Sequence, residues 1–306
     1  MAEILKTILP IFAIIFLGWS LRRFDFMQEG FLKPANRLVY FVAIPAMIFR
    51  EIAEAALAEH FRLILVAATL SPIVIIFLVG QALVRGINLQ RYQVGTFLQS
   101  SFHGNLGYIG LAVSYYFLGK DGFTRASILA GFLMLLQNFL AVVVLSRFGE
   151  TPKEEALFPL VKRILLNPVI ISAMAGMTFS ITGLGLPVIL DRSLKILSGM
   201  ALPLALLVIG NSLSFDQIRQ QLRLTLFISI LKLMVLPALG LCLFLLLGLH
   251  RVEFLPALIL LASPTATVTY VMASEMAGDP DLATAAISVS TLASAVTFTL
   301  WLGLAS

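Results

Sequence analysis

The chain has 306 residues, of which 59% are hydrophobic and only 12% are charged. Because soluble domains are about 45–50% apolar and about 25% charged, this composition excludes a chain that folds mainly in water and predicts a lipid bilayer around it. The formal net charge of +5 would favour nucleic acid as the partner of a soluble protein. Here Lys and Arg cluster in short loops, where such residues set membrane topology, and we expect no nucleic-acid partner.

Ten apolar segments, each of about the length that crosses a bilayer, fill the chain. We expect membrane spans at residues 4–22, 34–53, 62–84, 93–118, 123–147, 160–181, 187–210, 224–249, 254–277 and 281–304. The sequence thus predicts an all-α polytopic membrane protein without a soluble domain of ordinary size. The first span runs into Arg22-Arg23 without a small-residue cleavage pattern, so we expect a retained helix rather than a signal peptide.

The fourth span carries a polar, glycine-rich patch at its centre, residues 97–110. Gly104 and Gly107 lower helix propensity by about 1 kcal/mol each relative to alanine, and His103 and Asn105 offer side-chain hydrogen bonds that compete with the helix. Such a stretch is tolerated in a membrane only where protein buries it or where it lines a wet cavity. We predict a helix break here. His103 is also a candidate for proton coupling, the alternative being a hydrogen-bonded structural role.

The next polar positions lie in the fifth span, in the middle of the chain and in the eighth span. Gln137 and Asn138 at the centre of span five either face the same cavity or bridge helices. Residues 148–159 form the longest polar connection, and we interpret them as a linker between two halves. Lys232 lies deep in span eight, where a charge is a functional candidate by default; it either balances a bound anion or stabilises helix packing.

The ninth span has its own interruption, Ser-Pro-Thr-Ala-Thr at residues 263–267, because proline removes a backbone donor and clashes with the preceding turn. At an offset of 158 residues this break aligns with that of span four. The same offset pairs Pro10 with Pro168, Gly18 with Gly176, Pro45 with Pro203 and Asp121 with Asp279. Since each unit has five spans, the second enters from the opposite side. The sequence therefore predicts two inverted repeats, 1–147 and 160–306, an architecture that is common among secondary transporters.

Matching interruptions in two repeats are the best sequence pointer to a transporter's binding site. Each creates a half-helix N-terminus with unsatisfied N–H groups and partial positive charge, which favours anions. No Asp or Glu lies near either break, so we predict a small organic anion as the ligand, with Lys232 and His103 as charge-balancing or coupling candidates. The predicted substrate-binding residues are His103, Gly104, Asn105, Gly107, Gln137, Asn138, Ser263, Pro264 and Thr265. Packing kinks are the alternative, since small residues also let helices approach closely.

The two sides of the predicted membrane protein differ in charge. Twelve of the 21 Lys and Arg residues fall on the side of the loops that follow spans one, three, five and seven, and eight fall on the other side. Because cytoplasmic loops carry the excess of Lys and Arg, both termini are predicted to lie outside.

Five short motifs, in this order, are similar to those of a known family. They are Pro-Ala-Met-Ile-Phe at 45–49, Asn-Leu-Gly-Tyr-Ile-Gly at 105–110, the segment 203–213 ending in Ile-Gly-Asn-Ser-Leu, Lys-Leu-Met-Val-Leu-Pro at 232–237, and Ser-Pro-Thr-Ala at 263–266 followed by Gly-Asp at 278–279. Over nearly its whole length the chain resembles the auxin efflux carrier family of bacterial transporters, relatives of the plant PIN proteins. That family often has proline two residues after the last glycine of the span-four motif. This chain has Leu-Ala-Val at 111–113, so the break must depend on Gly104 and Gly107.

The resemblance implies ten helices with crossing, broken fourth and ninth helices, as in bacterial sodium/proton antiporters and bile-acid symporters. It also implies a scaffold domain from spans 1, 2, 6 and 7 and a transport domain from spans 3–5 and 8–10 that moves like an elevator. Such carriers transport monocarboxylates or dicarboxylates such as malonate, malate or auxin. Their relatives suggest a homodimer in the bacterial inner membrane.

Other function classes require features that this sequence lacks. A sodium- or proton-coupled symporter or antiporter of the bile-acid-symporter type is the alternative within the same fold class, but an antiporter usually needs carboxylates at the crossover. A membrane enzyme would need an Asp-rich metal motif or a catalytic His/Asp cluster, so we expect no enzymatic activity. With Cys242 as the single cysteine and His60, His103 and His250 far apart, we expect neither a metal nor a cofactor.

Overall fold

The structure is a computed structural model that describes residues 2–27, 29–54, 62–148 and 166–305. Within these ranges the chain is helical and forms no β-strand, which confirms the predicted all-α class. The helices are α1 (Ala2–Arg23), α2 (Glu29–Leu38), α3 (Ile44–Ala53), α4 (Leu63–Leu83), α5 (Arg91–Phe102), α6 (Leu111–Phe148), α7 (Pro168–Ile181), α8 (Val188–Gly199), α9 (Ala201–Asn211), α10 (Phe215–Ile230), α11 (Leu236–Leu246), α12 (Arg251–Leu261), α13 (Val268–Glu275) and α14 (Pro280–Leu304).

Three π-helical turns connect these helices. Val39–Ala43 joins α2 to α3, Leu231–Val235 joins α10 to α11, and Leu106–Gly110 leads into α6. Each turn therefore continues a helical run instead of ending it. Such single wide turns are frequent at functional sites. The turn Leu231–Val235 contains the predicted intramembrane cation Lys232.

Helix α6 changes direction at Gly119. The φ angle of this residue is 69°, a left-handed conformation that glycine adopts without the strain that a Cβ atom would cause. The turn divides α6 into two arms, at the place where the sequence predicts the boundary between spans four and five.

Six helical segments within the described residues are long and apolar enough to cross a bilayer. They are Ala2–Arg23, Leu63–Leu83, Leu106–Phe148, Val188–Asn211, Phe215–Leu246 and Pro280–Leu304. A helical, multi-pass membrane protein is thereby supported, while the ten-span inverted repeat stays a prediction. Most of the predicted linker (149–159), the first residues of span six and His60 lie outside the described residues.

The run through α10 and α11 begins at Phe215, earlier than the predicted start of span eight at residue 224. Its first turns carry Asp216 and Arg219, which hydropathy assigns to a loop. These residues are still helical because a helix can extend beyond the apolar segment that it contains.

Glycines allow two helix pairs to pack at very short distances. A Cβ atom on Gly18 of α1 would lie 2.2 Å from the carbonyl oxygen of Leu207 in α9, and one on Gly210 of α9 would lie 1.8 Å from that of Ile15 in α1. A Cβ atom on Gly176 of α7 would lie 3.1 Å from the carbonyl oxygen of Phe49 in α3. The first and seventh predicted spans are therefore in close contact, as are the sixth and second.

Candidate functional site

The first interruption separates α5 from the helical turn that precedes α6. Helix α5 ends at Phe102, and the chain becomes helical again at Leu106. His103 and Asn105 have non-helical ψ angles of 101° and 68°. The whole break is buried, so its backbone groups need partners within the protein.

The second interruption separates α12, which ends at Leu261, from α13, which begins at Val268. Pro264 lies at its centre, flanked by Ser263 and Thr265, and both of these flanking residues are fully buried. The Ser263 hydroxyl donates to the Ile259 carbonyl, one turn earlier, at 3.0 Å. Residues 262–266 of this break are likewise buried, whereas Thr267 is partly exposed.

The two interruptions meet at a point that we call the crossover, where their backbone groups form hydrogen bonds with each other. Asn105 N–H donates to the Pro264 carbonyl at 2.7 Å, and Ala266 N–H donates to the His103 carbonyl at 2.9 Å. These bonds make a short antiparallel bridge between Gly104 and Thr265. Non-helical backbone at membrane depth is stable only where it finds such partners, so the two breaks depend on each other.

Neighbouring helices brace the crossover through side chains. The Gln137 amide accepts from Gly104 N–H and donates to the Phe102 carbonyl, both at 3.2 Å. On the other break, Thr265 N–H donates to the Ser290 hydroxyl at 3.0 Å. Lys232, which is fully buried, donates from Nζ to the Leu261 carbonyl at 2.8 Å. The ammonium group thus caps the C-terminus of α12, where the helix dipole favours a cation.

A cavity of about 780 Å³ lies beside the crossover. Its lining reaches Leu32 near the start of α2 and Leu166 just before α7. Within the described part of the chain, no Lys, Arg, Asp or Glu side chain lines it. The polar residues that line it are Asn36, Tyr40, His103, Asn105, Tyr108, Asn138, Asn167, Ser212, Thr267 and Tyr270.

Asn105 lines this cavity and carries an unused donor. The residue is 5% exposed, and its amide nitrogen Nδ2 has no hydrogen-bond partner among the described residues. Asn105 also stands immediately before a helical N-terminus, whose first N–H groups have no partner within the helix. An unsatisfied buried donor costs about 1–3 kcal/mol, which a ligand that accepts this hydrogen bond would recover.

Comparison with known proteins decides the family. The family model described as "Membrane transport protein" matches residues 3–302. The chain belongs to this family of membrane transport proteins. The predicted resemblance to auxin efflux carriers is thereby confirmed.

The transporter is also similar to three curated proteins over most of its length. One from Rhizobium meliloti, named "putative malonate transporter", is 26% identical and covers 98% of this chain and 95% of the relative. An uncharacterized transporter of Methanothermobacter thermautotrophicus is 26% identical, covering 97% and 96%. Another, of Methanocaldococcus jannaschii, is 24% identical, covering 97% of both. Family and relatives alike indicate a transporter rather than an enzyme.

The structure brings five of the predicted substrate-binding residues of this transporter to the cavity and holds four behind it. The residues that line the cavity are His103, Gly104, Asn105, Gly107 and Asn138; the residues that do not are Gln137, Ser263, Pro264 and Thr265. Ser263, Pro264 and Thr265 belong to the second break, whereas Gln137 reaches the first break from α6. Gln137 and Thr265 hold backbone groups in place.

Two candidates for charge balancing or coupling differ in position. His103 lines the cavity at 3% exposure, and its Nδ1 lies 3.4 Å from the amide nitrogen of Gln99. Lys232 does not line the cavity but lies directly behind Gly104, since a Cβ atom on that glycine would be 3.3 Å from Nζ. The ammonium group is thus separated from the cavity by a residue without a side chain.

Sequence reasoning missed the opposite wall of the cavity. This wall includes Leu32, Asn36 and Tyr40. They are spaced four residues apart along one helical run and therefore share one helix face. The Tyr108 hydroxyl donates to Asn36 Oδ1 at 2.6 Å, linking this wall to the crossover. The four-residue spacing of Leu32, Asn36 and Tyr40 was the available signal, but polar residues near a loop are more often solvated.

Proposed function

We propose that this transporter moves a small organic carboxylate across the membrane and binds it in the cavity beside the crossover. The observation that carries the proposal is the buried, unpartnered Nδ2 of Asn105 at a helical N-terminus in the cavity wall. A carboxylate accepts hydrogen bonds and carries the negative charge that such a terminus favours. The same atom would gain nothing from an apolar or cationic ligand.

Lys232 places an ionisable amine directly behind this site. Its Nζ has a backbone carbonyl as its partner and forms no ion pair within 4.0 Å with any described carboxylate. The cation lies behind Gly104, so it acts on a ligand through the field rather than by contact. A bound anion would supply the countercharge that Lys232 lacks, which is the charge-balancing role proposed for it.

The apolar remainder of the cavity wall suits an organic body. Leu32, Phe41, Ile44, Met134 and Val208 are among the apolar lining residues. Small-molecule sites are typically apolar with a few placed polar groups that fix orientation. Malonate is the first acid to test, because the relative from Rhizobium meliloti carries that name.

We further propose an elevator-type alternating-access mechanism, with spans 1, 2, 6 and 7 as scaffold and spans 3–5 and 8–10 as transport domain. The glycine-mediated contacts of α1 with α9 and of α7 with α3 support a scaffold of these four spans. They also support the inverted repeat, since exchange of the two halves converts the pair of spans 1 and 7 into the pair 6 and 2. The proposal includes both termini outside, a bacterial inner-membrane location and a homodimer.

Thermal stabilisation tests the carboxylate site. We expect a panel of small acids to include one that raises the apparent stability of the purified transporter, by about 2.7 kcal/mol at a hundredfold excess over its dissociation constant. The matched amide should give no shift, and Asn105→Ala should abolish the effect of the acid. Asn211→Ala is the control, because Asn211 is a buried amide that does not line the cavity. Its acid response should be unchanged.

Two results would contradict the proposal. If acid and amide stabilise the transporter equally, charge is not recognised. If no acid acts but sodium or a change of pH alone stabilises the protein, the alternative of a cation-coupled carrier of the bile-acid-symporter type is favoured instead.

A further inference from the structure

A cluster of charged residues lies at the ends of the helices that face away from the cavity. Arg50 in α3 donates from Nε to Asp191 Oδ1 of α8 at 2.7 Å and from Nη1 to Glu51 Oε1 at 2.8 Å. Its Nη2 is 3.7 Å from Glu54 Oε1. All four residues belong to the proposed scaffold, in span seven, in span two or directly after span two.

One residue of this cluster comes from the other proposed domain. Lys120 follows the Gly119 turn between spans four and five, and its Nζ lies 2.8 Å from Glu54 Oε2 and 3.9 Å from Glu51 Oε2. Among the ion-paired scaffold residues, three carboxylates face the single guanidinium of Arg50. Lys120 supplies a second cation from across the domain boundary.

Lys120 also interacts with a buried carboxylate, that of Glu51. Glu51 is 7% exposed, and its Oε2 has no hydrogen-bond partner within the described ranges of the chain. The Lys120 ammonium group lies 3.9 Å from that oxygen, close enough to attract its negative charge. A buried carboxylate oxygen without hydrogen bonds is stabilised by a nearby opposite charge, so loss of Lys120 leaves Glu51 in a less favourable environment.

The cluster and the cavity lie at opposite ends of the same helices. Ile44 is the last residue of α3 in the cavity wall, and Glu54 follows it by ten residues, or roughly 15 Å along a helix. In α6, Met134 is the first lining residue beyond the turn and is roughly 21 Å from Lys120 on the same basis. The ion pair therefore closes one end of the domain boundary while the cavity occupies the other.

We propose that the bridge from Lys120 to Glu54 and Glu51 is a conformational latch that favours the state in which the cavity is accessible from the side of Leu32 and Leu166. This inference rests on the proposed function, because it requires spans 3–5 to move against the scaffold. Displacement of the transport domain separates Lys120 from the carboxylates. The latch then re-forms only when the domain returns.

A second ion pair provides the matched control. Arg62 Nη1 pairs with Glu253 Oε1. Both residues lie in the proposed transport domain, at the starts of spans three and nine. This pair moves as one unit in an elevator mechanism, so its removal should not change the balance between the two states. Arg62 and Lys120 are similarly exposed, with 50% and 60% of their side chains accessible.

Cysteine accessibility tests the latch independently of substrate. The exposed Cys242 is first replaced by alanine, and Ser212→Cys then serves as a reporter in the cavity wall. Labelling by a hydrophilic maleimide is measured in lipid nanodiscs, where both faces are accessible. Since one partly exposed ion pair contributes little, we expect Lys120→Met and Glu54→Gln each to slow labelling about two- to fivefold. Lys120→Arg should keep the unmutated rate, as should Arg62→Met.

Unchanged labelling in Lys120→Met and Glu54→Gln would overturn the latch, as would equal slowing in Arg62→Met. The melting temperature of each variant is measured in parallel, so that a change in labelling caused by unfolding or aggregation is not counted. If the latch variants slow labelling but no acid binds to the unmutated transporter, the latch is supported and the substrate proposal fails. If acids bind and labelling is unchanged, the substrate proposal is supported and the latch fails.

Discussion

The two interruptions at the crossover have different roles, although they occupy matching places in the two halves. The first leaves Asn105 facing the cavity with an unpaired amide nitrogen. In the second, the hydroxyls of Ser263 and Thr265 donate to carbonyls of α12 and α5. The first break therefore carries the unused donor that we propose for ligand binding, and the second braces the backbone that holds it.

This difference follows from how each break is made. Pro264 interrupts its helix by removing a donor, which leaves less backbone to satisfy. Its own carbonyl accepts from Asn105 N–H at 2.7 Å. Because the backbone of Asn105 is satisfied by the other break, its side chain is not needed for local capping. In the proposed site, the matched pair of breaks thus leaves one polar side chain free to bind a ligand.

The largest expected effect is that of a negative charge at the first break. Asn105→Asp replaces the donor amide with a carboxylate, and two like charges about 4 Å apart repel by about 4 kcal/mol at an effective dielectric of 20. At pH 8 we expect acid affinity to fall at least hundredfold, beyond the loss in Asn105→Ala. Titration calorimetry measures this, with the acid that gives the largest thermal stabilisation in the panel. An affinity equal to that of Asn105→Ala would show that the ligand carboxylate lies elsewhere.

Removal of the charge behind Gly104 should have the next largest effect. A ligand atom that touches Gly104 would be roughly 6.5 Å from the Lys232 ammonium group, which corresponds to about 2.5 kcal/mol at an effective dielectric of 20. Lys232→Met should therefore weaken acid binding by roughly 70-fold and leave the weak binding of the matched amide unchanged.

Lys232→Gln separates charge from hydrogen bonding, because glutamine retains a donor for the Leu261 carbonyl. If Lys232→Gln binds the acid as the unmutated transporter does, the capping of α12 matters and the field of the cation does not. Both variants are compared at equal ionic strength.

The sequence predicted the membrane class, the helical composition and the family, because apolar length and broken-helix motifs are local features. It also indicated Asn105 and Gly104, which line the cavity. Gln137 and Thr265 were also predicted to bind substrate but do not line the cavity, because whether a buried polar side chain meets a ligand or a carbonyl depends on the neighbouring helix. Asn36 and Tyr108 were missed for the same reason, since their 2.6 Å contact joins residues 72 positions apart.

A substitution where the two breaks approach closely should have an intermediate effect, on the stability of the folded transporter. A Cβ atom on Gly110 would lie 2.6 Å from the Ser263 hydroxyl oxygen, so Gly110→Ala should destabilise the folded transporter by about 1–2 kcal/mol through overpacking. Adding Ser263→Ala removes the clashing atom. The double variant should regain most of the loss in a thermal melt, whereas simple additivity of the two substitutions would show that the breaks do not touch here.

The smallest expected effect belongs to the bracing break. Thr265→Val keeps the shape of the side chain but removes the donor to the Ser100 carbonyl, a bond of 3.0 Å between fully buried residues. A typical buried hydrogen bond contributes about 1 kcal/mol, so the melting temperature should fall by a few degrees. Acid affinity of the folded fraction should stay within about twofold, because Thr265 does not line the cavity. If Thr265→Val instead weakens acid binding as strongly as Asn105→Ala while stability is retained, both breaks contact the ligand, and the division between a presenting break and a bracing break is wrong.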